Sequence, residues 1–259
     1  MMSLRVLGLL AAATVLNAAA PTFADAAPDA ESAAAAPVAT PETTGAQGPS
    51  TPTPPSIQSS LGAYGDPGGI RAYLSTKGID FAFTYIGEIL GNTSGGIKRG
   101  ATYEGRLDAV LDVDLEKFMG LKGAALHAEA FQIHGRGLSG NNTMDLFTVS
   151  NLEATPSTRL YEAWFEQKFA DDKVAVRVGQ LGADTEFIVS QTATLFVDST
   201  FGFPAIGSND LPSGGPVYPL SAPGARLKLT PFDNVAVLAA IFDGDPAGPY
   251  RPGVNDPLA

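Results

Sequence analysis

RLYEAWFEQKFADDKVAVRVGQLGADTEF, residues 159–187, reads as two β-strands, 159–169 and 173–181, joined by a tight acidic turn at Asp171-Asp172. Side chains alternate sides along a strand, so each strand here has an apolar and a charged face. Val174, Val176 and Val178 point one way; Lys173, Arg177 and Leu181 point the other. On the partner strand Tyr161, Ala163, Phe165 and Phe169 oppose Glu162, Trp164, Glu166 and Lys168. A two-residue turn predicts the register: Phe165 across from Val178, Glu166 from Arg177, and Trp164 from Gly179. What remains is which surroundings each face meets: protein core, water or lipid.

The alternation extends along the chain. GIDFAFTYIGEIL (78–90) sets Ile79, Phe81, Phe83, Tyr85 and Ile89 against Asp80, Thr84 and Glu88. ATYEGRLDAVLDVDL (101–115) carries Glu104, Arg106, Asp108, Asp112 and Asp114 on its even positions, with apolar residues and glycine between them. Residues 123–134 form a weaker strand in which His127 and Glu129 share a face. Strands at 224–230 and 234–242 follow; the last, NVAVLAAIF, is apolar on both sides. Seven strands are thus expected, preceded by a short helix at Pro67–Lys77, with Pro near its start and Gly78 past its end.

The rest of the chain locates this sheet. MMSLRVLGLLAAATVLNAAAPTFADA has one early base, an apolar run through Leu16, and small residues suited to cleavage at Ala24 or Ala26. It reads as a signal peptide over 1–24, the run being short of the roughly 20 residues of a spanning helix. Residues 25–61, rich in Ala, Pro, Thr and Ser, read as a linker that can bury no core. The net charge of −11 argues against a nucleic-acid partner. With no cysteine and two histidines, His127 and His134, no metal of the usual ligand sets is expected. Nothing in the sequence calls for a cofactor.

The connections are asymmetric. Those on one side, 91–100, 135–158 and 182–223, are each longer than those on the other, 116–122, 170–172 and 231–233. Outer-membrane barrels have this asymmetry, with short periplasmic turns and long outer loops. Aromatic residues toward strand ends (Phe81, Tyr103, Phe131, Phe169 and Phe242) fit an interfacial girdle. Alternation alone leaves a secreted β-sandwich or small soluble barrel open, including a periplasmic sugar-binding module. A secreted glycosidase using Asp184 and Glu186 is the enzyme reading. Two acids two residues apart in a loop do not establish the required flanking geometry, so no catalytic residue is assigned.

Several segments carry a family resemblance: TYEGRLD (102–108), FQIHGRGLS (131–139), RLYEAWFEQKF (159–169), VRVGQLGADTEF (176–187), FGFP (201–204) and YPLSAPGARL (218–227). GGIRAYLSTKGIDF (68–81) adds a helix running into a first strand. Together they resemble the carbohydrate-selective porins of the OprB type. The resemblance implies an all-β fold, an antiparallel transmembrane β-barrel with a short N-terminal helix, in the outer membrane of a Gram-negative cell. It implies passive diffusion of glucose-like sugars, with sugar as solute and outer-membrane lipid as surroundings; assembly with further copies is left open. Barrel domain 62–259 would be incomplete, since bacterial barrels have even strand numbers. Trp164 is the expected stacking residue, with Glu162, Glu166 and Arg177 as hydrogen-bonding neighbours. Arg106, Asp108 and Arg226 are expected on the same wall, and segment 182–223 is expected to fold inward, bringing Asp184 and Glu186.

Overall fold

The computed structural model describes residues 8–16, 64–187, 189, 196–198, 211–232 and 234–247. The linker, the cleavage region, the FGFP segment and the C-terminal tail lie outside them. The described residues build one antiparallel sheet: β1 (Gly8–Leu16), β2 (Ile79–Asn92), β3 (Gly100–Asp114), β4 (Ala124–Gly135), β5 (Ser157–Phe169), β6 (Val174–Leu181), β7 (Ala222–Phe232) and β8 (Val235–Asp243). Strands β2 to β8 are the seven expected and follow one another as a meander. β1 is an eighth: the apolar run of the expected signal lies antiparallel along β8, Gly8 opposite Asp243 and Leu16 opposite Val235. A strand edge presents unpaired N–H and C=O groups, and β1 satisfies those of β8. Among the described residues β2 pairs only with β3, so the sheet is open.

Two short α-helices occur among the described residues, one before the meander and one within it. α1 (Ile70–Thr76) follows a turn of 3₁₀ helix at Pro67–Gly69, where a helix is expected. α2 (Leu115–Met119) occupies one short connection, where the sequence reading expects only a link. Its cause is local. Asp114 caps the N-terminus by accepting from the amides of Glu116 and Lys117, and Gly120 closes the other end in the left-handed conformation. No helix of the described residues is long and apolar enough to cross a membrane.

The opening hairpin has the expected register: Phe165–Val178, Glu166–Arg177 and Trp164–Gly179. Ala170, Asp171 and Asp172 all have positive φ, 52°, 52° and 65°, and the Lys173 amide donates to the Ala170 carbonyl at 3.2 Å to close the turn. Residues 159–161 depart from the expected alternation for one reason. β5 bulges opposite β4, Glu129 pairing with Glu162 but Ala130 with Leu160. The extra residue, Tyr161, therefore turns to the charged face and is 4% exposed, while Leu160 takes the outer side. Phe131 and Phe242, expected in the aromatic girdle, also lie on the inner face, where ring clusters bury them.

Burial is inverted relative to a water-soluble sheet. Apolar side chains of the outer face are exposed along five consecutive strands: Phe83, Tyr85 and Ile89; Tyr103, Leu107 and Leu111; Leu126; Phe165 and Phe169; Val176 and Val178. The buried inner face holds Glu104, Asp108, His127, Glu162, Glu166, Arg177 and Arg226. An apolar surface this continuous is stable in contact with lipid or with another apolar surface, not with water. Val178 lies mid-strand on it. Replacing Val178 with Arg should cost roughly 2–4 kcal/mol in a vesicle-folding equilibrium, and Val178→Ile should stay near wild type. An arginine variant as stable as wild type in vesicles would show that this face does not meet lipid.

Candidate functional site

The inner face is a strip of charges and rings organised by the strand register. Arg177 and Arg226 sit directly opposite each other on β6 and β7, an arrangement of like charges that needs compensation. Two carboxylates supply it. Glu166, on β5, lies 3.1 Å from Arg177 and 2.7 Å from Arg226. Glu186, from the segment after β6, lies 3.4 Å from Arg177 and 2.7 Å from Arg226. The four close an alternating ring. Breaking such a buried pair on one side leaves an uncompensated charge, which is far costlier than the intact pair is stabilising.

Residues 182–187, the start of the segment 182–223 expected to fold inward, reach this ring because they fold against the inner face; residues 188, 190–195 and 199–210 of that segment lie outside the described residues. Glu162 holds the segment: its carboxylate accepts from the Gly182 amide at 2.8 Å, the Thr185 hydroxyl at 3.2 Å and the Trp164 indole N–H at 3.2 Å. Asp184 accepts from the Tyr161 hydroxyl at 2.6 Å and the Tyr218 amide at 3.0 Å. Phe187 packs edge-on against Phe242, their ring centroids 6.2 Å apart. Phe187 and Ala183 thereby join Leu238 and Ala240 in one cluster. This explains why β8 is apolar on both sides: its inner side is covered by chain.

Trp164 is flanked from both neighbouring strands. His127 of β4 stacks on it with centroids 4.8 Å apart and planes 14° apart. The Arg177 guanidinium, from β6, lies 3.6 Å from the ring centroid. The close fit depends on Gly179, whose φ of 146° is a glycine conformation; a Cβ there would come within 2.6 Å of the Trp164 Cα. Trp164 is 8% exposed, so the ring planes are engaged by protein. Farther along the strip Arg106 pairs with Asp108 at 2.7 Å and lies over the rings of Phe131 and Tyr218, at 5.2 and 5.0 Å.

All nine residues selected from the sequence thus lie on the inner face or on the segment packed against it. Glu166, Arg177, Glu186 and Arg226 meet in one ring, Glu162 and Trp164 adjoin it, and Arg106 and Asp108 form a separate pair. Glu186 and Arg106 keep the most side-chain exposure in these ion pairs, 20% and 16%. Sequence reasoning missed His127, Tyr161 and Tyr218. His127 carried a visible signal, its shared face with Glu129, but its stacking on Trp164 depends on pairing between β4 and β5. Tyr161 was hidden by the bulge.

Comparisons with known proteins agree with this architecture. A family profile described as carbohydrate-selective porin, OprB family, matches residues 98–253. Porin B of Pseudomonas aeruginosa is 30% identical over 131 residues, 48% of this chain and 29% of that protein. The high-pH structure of Pseudomonas putida OprB superposes with a TM-score of 0.62 at 25% identity, over 70% of this chain and 44% of that one. The chain spans less than half the length of these relatives.

Asp184 gives the docked segment a pH dependence. Burial raises its carboxyl from 3.8 to about 6, the hydrogen bonds from Tyr161 and Tyr218 opposing the shift only in part. Docking is therefore favoured below about pH 4, weakens as pH rises toward 6, and levels off above it. Protection factors at 182–187, corrected for the intrinsic rise of exchange with pH, should fall over that interval in wild type. In Asp184→Asn the step should disappear; a step of the same size in that variant would assign it to another group.

Proposed function

We propose that this chain, which belongs to the OprB family of carbohydrate-selective porins, supplies part of the wall of an outer-membrane channel through which glucose-like sugars diffuse passively. The inverted sheet carries the reading. A charged, protein-lined inner face behind an apolar outer face is the arrangement of a barrel with a polar interior in lipid. A secreted sugar-binding module would bury the apolar face instead, and a channel requires no catalytic group. The open edges at β1 and β2 suit pairing with further strands, since lipid cannot satisfy a free strand edge. Export by the signal at 1–24 would release β8 for such pairing.

Sugar passage needs donors and acceptors that replace lost water yet let the solute leave. In this reading Arg106 and Glu186, the more exposed members of the charged strip, contact the sugar hydroxyls. Glu162, Glu166, Arg177, Arg226 and Asp108 hold the wall in place, and Asp184 anchors the inward segment. Trp164 contributes an edge and its buried ring plane supports Arg177, so a sugar stacked on its face would first have to displace a neighbour.

Planar-bilayer recordings of the full-length protein test this. Glucose should reduce ion current reversibly. Glu186→Gln should shift the reversal potential toward anion preference, by leaving Arg177 and Arg226 less neutralised, and weaken glucose block roughly tenfold, about the worth of one charged hydrogen bond. Current indifferent to any sugar would overturn the sugar-channel reading.

A further inference from the structure

On the same inner face, between the Arg106 pair and Trp164, lies an arrangement that the charged ring does not involve. Glu129 and Glu162 stand directly opposite each other on β4 and β5. Two carboxylates in register repel unless a cation lies between them. The side chain aimed at them is His127, 8% exposed and two residues from Glu129 on the same face. Its Nε2 is buried without a hydrogen bond, 4.0 Å from a Glu129 oxygen and 3.8 Å from Oε2 of Glu162.

The other ring nitrogen is committed. Nδ1 lies 2.7 Å from the Asp112 carboxylate on β3, which can only accept its proton, so in the neutral ring Nε2 is the nitrogen that carries the lone pair. The stacked Trp164 holds the ring plane, and the Trp164 N–H steadies the same Glu162 oxygen that faces His127. A carboxylate on the far nitrogen of an imidazole is the usual support for a metal-binding histidine. Arg106, the nearby base, is paired with Asp108. Asp112, Glu129 and Glu162 therefore surround one imidazole with excess negative charge.

The geometry points to a divalent-cation site formed by His127 Nε2 and the carboxylates of Glu129 and Glu162, with Asp112 as the positioning residue. The three ligand atoms lie within 4.8 Å of one another. Carboxylate rotations would have to draw them in to the roughly 2.0–2.2 Å of zinc–nitrogen and zinc–oxygen bonds around one ion. One imidazole with two carboxylates favours Zn²⁺ over Ca²⁺ or Mg²⁺, which prefer oxygen alone. The sequence predicts no metal because it offers no cysteine and only two histidines. His134 indeed points to the other face of β4, toward Tyr85, and the remaining ligand comes from β5. A cation here would tie β4 to β5 and neutralise the paired glutamates.

The test uses the full-length protein in detergent, stripped with EDTA and titrated with ZnCl₂ by calorimetry, then loaded with Co²⁺ for visible absorption. One Zn²⁺ per chain is expected, bound more tightly than Ca²⁺ or Mg²⁺, together with a Co²⁺ d–d band. Glu129→Gln, which keeps the side-chain shape, should weaken Zn²⁺ binding at least tenfold. Asp112→Asn should weaken it 10–100-fold, and His127→Asn should abolish the Co²⁺ band. Far-UV circular dichroism checks that each variant stays folded. Equal Zn²⁺ affinity in wild type and Glu129→Gln, or no saturable binding by the folded wild type, would overturn the assignment.

Discussion

A β-strand cannot hide its charges on both sides, and every other feature of this structure depends on that constraint. Period-two alternation sends most of the acids and bases of β3 to β7, Glu104, Asp108, Glu162, Glu166, Arg177 and Arg226 among them, to one face and most of the large apolar residues to the other. Here the apolar face is the exposed one. The meander from β2 to β8 is unbroken, each strand paired with the next, as a backbone placed in lipid would require.

Once the charged face is enclosed, it must satisfy itself. Arg177 and Arg226 are brought together by register, and Glu166 and Glu186 compensate them from two directions. Because Glu186 comes from the segment after β6, charge balance and loop position are coupled. The segment is held by Glu162 and Asp184, and its apolar residues cover the inner side of β8. The long connection is thus part of the wall. A substitution at any of these acids acts on the ring, the segment and Trp164 together, so neighbouring effects should not add.

Much of this was legible in the sequence. Strands β2 to β7, the hairpin register and the shared face of Glu162 and Glu166 opposite Arg177 follow from alternation and a two-residue turn, whereas β8 shows only as an apolar run. An inward fold was expected of the whole segment 182–223, bringing Asp184 and Glu186, and residues 182–187 lie so. What alternation could not reveal was anything set by a break in period or by pairing across strands. The bulge reverses Tyr161; the capping of 115–119 by Asp114 makes a helix of a short link. The stacking of His127 on Trp164, and the facing of Glu129 with Glu162, depend on how β4 aligns with β5. Phe131 and Phe242 sit near strand ends like girdle residues, yet Phe131 shares parity with His127 and Glu129, while β8, apolar on both sides, gives Phe242 no parity to read.

The central claim is that the apolar face meets lipid and the charged face does not. The chain has no cysteine, so a single introduced cysteine takes a spin label uniquely. Labels placed one at a time from Val174 to Leu181 in vesicles report collision with oxygen, which concentrates in lipid, and with a water-soluble nickel complex. The account predicts period-two oscillation, with oxygen accessibility peaking at 174, 176, 178 and 180 and falling at 175, 177, 179 and 181. Uniform accessibility along β6, or oxygen peaks at 175, 177, 179 and 181, would contradict it.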